Sequence, residues 1–278
     1  MKRLVSVAAV ASSLIVAGPA IAGPFVSLPR EDGTSKVGVD IGLIAFDDGE
    51  SIEGTAIRLD PYAEYVVTDG LSAFANVPLA SIDAFGVRES ALGNVNVGGA
   101  LRRELSPELA LIGSVALALP TASADAVLDG RSFLGTLVRE TDFALIAPDN
   151  VVLRPHATGQ LRRDKLLAQV GGGLDIGLST GDGRKLDPLV RLSAAAAYDL
   201  GKVSLGGELV AMVTTRSEEA TFGERSIGTL ALSARGTFGN LAPFGALVIP
   251  LDEEIRGGVN AMLSVGLEYR LSPDAPAH

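Results

Sequence analysis

The 278-residue chain has no cysteine and no tryptophan, only 5% aromatic residues, and two histidines, His156 and His278. Without thiols there is no disulfide, no thiolate zinc site, no lipid-modified cysteine anchor and no cysteine nucleophile. Basic residues are also scarce, with 23 Lys and Arg against 33 Asp and Glu, for a formal charge of -10. Such a balance argues against a nucleic-acid surface, which needs concentrated positive charge. Long apolar runs are missing as well. One stands at the start, Leu4 to Val16, and it is shorter than the about 20 residues a membrane helix requires.

That run follows Lys2 and Arg3 and precedes Ala20-Ile21-Ala22, the small-x-small pattern of a cleavage site. Residues 1–22 therefore read as a cleaved export signal, with the mature chain starting at Gly23. What remains is apolar without being helical, being rich in glycine (33 residues in the full chain) and in period-two alternation. In "LLAQVGGGLDIGL", Leu166 to Leu178, the residues Leu166, Val170, Leu174 and Ile176 share one face, while Gln169 and Asp175 share the other. "TAIRLDPYAEYVV" sets Ile57, Leu59 and Tyr65 against Arg58, Asp60 and Glu64, "VSLGGELVAMV" sets Leu205 and Leu209 against Glu208, and "NAMLSVGLEYRL" sets Leu263 and Leu267 against Glu268 and Arg270. Alternation of this kind is the strand signal, and about ten residues per strand suits a tilted crossing of a bilayer.

A soluble sandwich alternates too, so the connections decide. The pattern predicts twelve strands, over residues 36–46, 55–67, 71–83, 94–105, 109–120, 151–162, 166–178, 188–199, 203–215, 226–237, 242–250 and 258–271. Joins after even-numbered strands are tight, as at Thr68-Asp69-Gly70 and Leu200-Gly201-Lys202. Joins after odd-numbered strands are longer and more polar, including the run from Thr121 to Asn150. Strict segregation of short turns from long loops on an even strand count predicts an all-β fold: a single antiparallel transmembrane β-barrel with short periplasmic turns and longer extracellular loops. Residues 23–35 form a periplasmic lead-in, 36–271 the barrel and 272–278 a tail. The expected location is the outer membrane of a Gram-negative bacterium, and the expected partners are outer-membrane lipids, the barrel-assembly machinery and small solutes.

On this reading the polar face lines a lumen. Asp40, Arg58, Asp60, Glu64, Arg102, Arg154, His156, Gln160, Gln169, Asp175, Arg191, Glu208, Arg235, Glu268 and Arg270 are the predicted lumen-lining residues, with six acids and six arginines in balance. The excess acid falls in the loops, which predicts a weak preference for cations at the mouth. Neutralising Asp175 should cost far less than placing a charge at Leu174.

No catalytic residue, metal ligand or cofactor is expected. "GLSTG", Gly177 to Gly181, matches a serine-hydrolase pattern, but a polar loop follows Ser179 where a nucleophile elbow turns into a helix. A barrel enzyme acting on lipid would carry its Ser and His on the outer wall, and His156 falls on the polar face. Asp47, Asp48 and Glu50 lack the ligand spacing of a calcium loop. A lipid-acting enzyme and a structural or adhesive barrel remain the alternatives to a channel.

"ALGNVNVGGALRRELSPELALIGSVALALPTA", Ala91 to Ala122, resembles a hairpin of the phenol-degradation meta-pathway family of transporter-like outer-membrane barrels. "YAEYVVTDGLSAFANVPL", Tyr62 to Leu79, and "APFGALVIPLDEEIRGGVNAMLSVGLEYRL", Ala242 to Leu271, are similar to its preceding and closing hairpins. The resemblance implies passage of hydrophobic or aromatic compounds and supplies no catalytic residue. The final strand departs from the usual barrel ending, finishing "EYRL" rather than on Phe or Trp.

Overall fold

Successive side chains leave a pleated strand on opposite faces, so the alternation above gives each strand an apolar side that must be covered by protein or lipid. The computed structural model describes residues 33–47, 53–84, 87–122, 143–145, 147, 149–179, 187–215, 226–252, 256, 259 and 261–271. It contains the segments β1 (Lys36–Asp47), β2 (Glu53–Thr68), β3 (Leu71–Asn76), β4 (Leu79–Ala84), β5 (Val87–Leu92), β6 (Asn96–Glu104) and β7 (Leu109–Ala118). They are followed by β8 (Asn150–Arg163), β9 (Leu166–Ser179), β10 (Leu189–Asp199), β11 (Val203–Thr214), β12 (Ser226–Gly236), β13 (Leu241–Pro250) and β14 (Met262–Arg270). Among the described residues no helix is long and apolar enough to cross a membrane. The export signal, most of the lead-in, the tail and most of the long Thr121–Asn150 connection lie outside the described residues.

Every neighbouring pair is antiparallel, and β1 pairs with β14 on one side, Lys36 opposite Arg270, and with β2 on the other, Lys36 opposite Glu64. The sheet therefore closes on itself. β3 and β4 both pair with β2, while β6 pairs with β3 and β5 with β4, so these four segments are the halves of two interrupted strands. The result is a closed antiparallel barrel of twelve strands. Tight turns gather at one rim, including Asp69–Gly70 and Asp164–Lys165.

The interruptions differ from the unbroken third and fourth strands that the alternation predicts. Pro78 has no N–H to donate to a ladder, and the chain leaves regular pairing at Val77–Pro78 and again at Gly93–Val95 on the adjoining strand. The breaks are stitched together, since the Gly93 amide donates to the Pro78 carbonyl at 2.8 Å and the Val77 amide to the Pro61 carbonyl at 3.0 Å. Beyond them β4 and β5 make a further hairpin where the sequence reading ends a strand at 83 and resumes at 94. The last strand is also shorter, starting at Met262 rather than at residue 258.

Outside, the wall is a continuous field of Leu, Val and Ile, including Ile57, Leu111, Val170, Leu174, Leu192, Leu209 and Leu263. Tyr65, Tyr198, Tyr269 and Phe238 all face outward close to the short-turn rim, making an aromatic band on that rim. Composition gives only four tyrosines, and three of them are spent here. A closed ladder has no edge to fray. Folded protein in detergent should accordingly run anomalously on a semi-native gel and shift on boiling, and mobility independent of heating would contradict closure.

Candidate functional site

The polar faces of the strands converge on the inside. Asp40, Arg58, Asp60, Arg154, Gln160, Gln169, Asp175, Glu208, Arg235 and Glu268 are buried there. Glu64, Arg102, His156, Arg191 and Arg270 lie on the same inner face, half-buried. Sequence parity therefore places all fifteen on one side of the wall. It does not show which of them meet, because the partners are brought together by strands that are distant in the chain.

Three groups result. Near the short-turn rim, Glu268 receives Arg235 through Oε1, with Arg270 Nε 3.4 Å from the same oxygen and Tyr62 donating to Oε2 at 3.1 Å. Tyr62 on β2 reaches Glu268 on β14 by passing across β1, where both are register partners of Gly38. A Cβ at Gly38 would stand 2.5 Å from the Tyr62 ring, so only glycine leaves that path open. Lys36, 2% exposed, adds an ion pair to Glu64 at 3.0 Å on the same seam.

The second group joins β2 to β3 and β6. Arg58 pairs with Asp60, Asn76 donates to Asp60 at 2.9 Å, and Asn96 donates to Asn76 at 3.0 Å. In the third group, on β8, β9 and β10, a single oxygen of Asp175 sits 3.1 Å from Arg154 Nε and 3.1 Å from Arg191 Nη2. His156 lies beside this triad, its Nδ1 3.2 Å from the Thr158 hydroxyl. Its ring covers Gly171 and Gly173, where a Cβ would come within 2.9 and 2.7 Å of it. The glycines of the "GGG" run thus make room for an imidazole rather than for empty lumen. Arg102 completes the set by donating to Gln160 at 2.6 Å.

One consequence corrects the sequence reading and another extends it. Asp175 holds two arginines with its side chain fully buried, so its neutralisation is not the mild change that an isolated lumenal acid would allow. The inner wall also carries more charge of both signs: Lys36 and Arg162 share the inner face with the six arginines, and Glu104 and Asp199 share it with the six acids, Glu104 Oε1 lying 3.8 Å from Arg102 Nε and Asp199 accepting from the Gly201 amide at 2.7 Å in the β10–β11 turn. Both cations sit at strand ends, where parity is easily read as turn. The acidic loop residues Asp48 and Glu50, and the side chains of Asp47 and Ser179, lie outside the described residues. Among the described residues no group of three or more His, Asp or Glu side chains is placed to hold a metal ion.

Sequence reasoning missed Asn94. It is fully buried at the second wall break, where its side chain donates to the carbonyls of Ala144 and Ala147 at 2.9 and 2.7 Å and accepts from the Ala122 amide at 2.9 Å. Ala144, Leu145 and Ala147 pack there against Ala118 and Val152 on the inner side of β7 and β8. A short piece of the long connection, including the 3-10 turn Phe143–Leu145, is thereby tied to the inside of the wall at the place where two strands are interrupted. The Gly93-Asn94 pair ahead of a strand is the signal that could have pointed to it.

This architecture has solved counterparts. The COG4313 outer membrane channel from Pseudomonas putida F1 superposes with a TM-score of 0.61 at 15% identity, over 86% of this chain and 96% of that chain. The NanC porin does so with a TM-score of 0.55 at 9% identity, over 84% and 100%. The KdgM porin follows with a TM-score of 0.51 at 13% identity, over 84% and 99%. The fold is that of twelve-stranded outer-membrane barrels. No family model and no curated protein matches the sequence. At these identities the barrel shares an architecture with the channels, and its chemistry must be read from its own wall.

Proposed function

We propose that the protein is a narrow outer-membrane channel or transporter for small solutes, hydrophobic or aromatic compounds among them, with its short turns in the periplasm and its long loops outside the cell. The observation that carries this reading is the closed ladder, apolar outside and charged within. Lipid demands that every backbone group be paired, as the closed ladder does, and the carboxylates and guanidiniums are kept away from the lipid on the inner face, where they pair with one another. The solved channels and porins of the same fold support it, and the hairpin resemblances support the hydrophobic class of solute. An export signal at residues 1–22 belongs to the same proposal. Interlocked side chains make the axial path small, because barrels of this size fill their interiors.

Single-channel recording in planar bilayers tests the reading. The unmodified protein should show small current steps, and truncating Arg154 or Arg235 to Ala should enlarge them. A large pore in the unmodified protein would contradict a lumen latched by its side chains.

A further inference from the structure

The β7–β8 connection leaves the wall and returns to it beside the same residue. At its departure the Ala122 amide donates to Asn94 Oδ1 at 2.9 Å, and at its return the carbonyls of Ala144 and Ala147 accept from Asn94 Nδ2 at 2.9 and 2.7 Å. The Asn94 amide adds a bond to the Leu145 carbonyl at 2.7 Å. One buried side chain thus holds both ends of the long connection.

The backbone around Asn94 depends on the same stretch of chain. Between Leu92 and Asn96 the strand ladder is interrupted, and a backbone group that leaves the ladder within a membrane wall needs another partner. Residues at the end of β7 and the start of the connection supply it. The Leu119 amide donates to the Val95 carbonyl at 2.7 Å, the Val95 amide donates to Thr121 Oγ1 at 2.9 Å, and that hydroxyl donates to the Gly93 carbonyl at 2.8 Å.

The returning segment lies inside the barrel. Ala118 and Val152 are register partners on the inner faces of β7 and β8, and both are 0% exposed, with Ala144, Leu145 and Ala147 packed against them. An alanine on the wall of an open lumen would be wet. On β8 the next inward residue towards the short turns is Arg154, and β6 resumes at Asn96, so the segment sits on the long-loop side of the Asp175 triad and of the Asn76–Asn96 pair.

We infer that Phe143–Leu145 and Ala147 form a strap that narrows the lumen on the long-loop side of these charged groups, and that Asn94 is the positioning residue that latches it there. The inference rests on the channel reading and names the constriction of that same barrel. Asparagine suits the place because one short, uncharged side chain offers two donors and an acceptor, matching two carbonyls and one amide. Alanine would leave all three groups buried without that partner, and aspartate would set a carboxylate against two carbonyls.

Accessibility and current test the latch together. Position 144 is fully buried and the chain has no cysteine, so Ala144→Cys gives a single thiol that fluorescein maleimide, added outside liposomes, should label slowly. Adding Asn94→Ala should speed labelling about 10- to 1,000-fold, the factor for losing three hydrogen bonds of ordinary net strength. Asn94→Ala by itself should enlarge the single-channel step. The double variant Asn94→Cys with Ala144→Cys keeps the comparison within one folded sample: a short bis-thiosulfonate linker should join the thiols and shrink the step, and reductant should enlarge it again. Labelling unchanged by Asn94→Ala, thiols that do not link, or a conducting barrel whose step ignores Asn94→Ala and the linker overturns the inference. Faster labelling in a barrel that never conducts refutes the channel and keeps the latch, whereas conduction with unchanged labelling keeps the channel and refutes the latch.

Discussion

Glu268→Gln should cost about 3 to 5 kcal/mol, the range for removing one partner of a buried ion pair, and urea unfolding of the protein refolded in lipid vesicles should show a lower midpoint. The side chain is fully buried and is shared by Arg235, Arg270 and Tyr62. Glutamine keeps the shape but leaves two guanidiniums facing each other without the charge they share. The site also spans the closing seam, with Tyr62 on β2 and Glu268 on β14 meeting across Gly38 of β1. Weakening it therefore loosens closure itself, not only one pair. A double change, Arg235→Met with Glu268→Leu, should recover much of the loss, because apolar replacements of a buried pair often stabilise. An unshifted midpoint in Glu268→Gln would mean that water, not Glu268, solvates these arginines.

Leu174 and Asp175 are adjacent in sequence and opposite in environment, and substitutions at both should be severe for different reasons. Leu174 faces outward, so Leu174→Arg places a charge in the apolar belt at a cost of about 2 to 4 kcal/mol if it lies near the bilayer midplane. Asp175→Asn disrupts nothing outside, yet it strips Arg154 and Arg191 of their common carboxylate, again on the order of 3 to 5 kcal/mol. The two are told apart by rescue. Arg191→Met should restore folding yield to Asp175→Asn and do nothing for Leu174→Arg. Rescue of both, or of neither, would show that residues 174 and 175 are assigned to the wrong faces or that the triad is not a unit.

Much of the molecule was legible before any coordinates. The strand count, the antiparallel order and the inward side of all fifteen polar residues followed from two local properties: a side-chain period of two, and the need of a strand in lipid to be apolar on one face only. Those properties act over two to ten residues, and the sequence displays them directly. The wall breaks lay at the edge of this reach. Pro78 and Gly93 are visible as breakers, but the pairing rhythm on either side is regular enough to read through them.

What the sequence by itself determined is therefore the barrel and the two faces of its wall. The tertiary structure alone decided the pairings within it. Glu268 finds Arg235 33 residues away and Tyr62 206 residues away. Asp175 finds two arginines because its neighbouring strands put their long side chains at the same level, and Asn94 finds Ala144 and Ala147 only where the strands are interrupted. Closure is the physical reason. Bending a sheet into a ring brings the inner faces of strands far apart in the chain within reach of one another, and a partner chosen by curvature and register leaves no mark in the local order of residues.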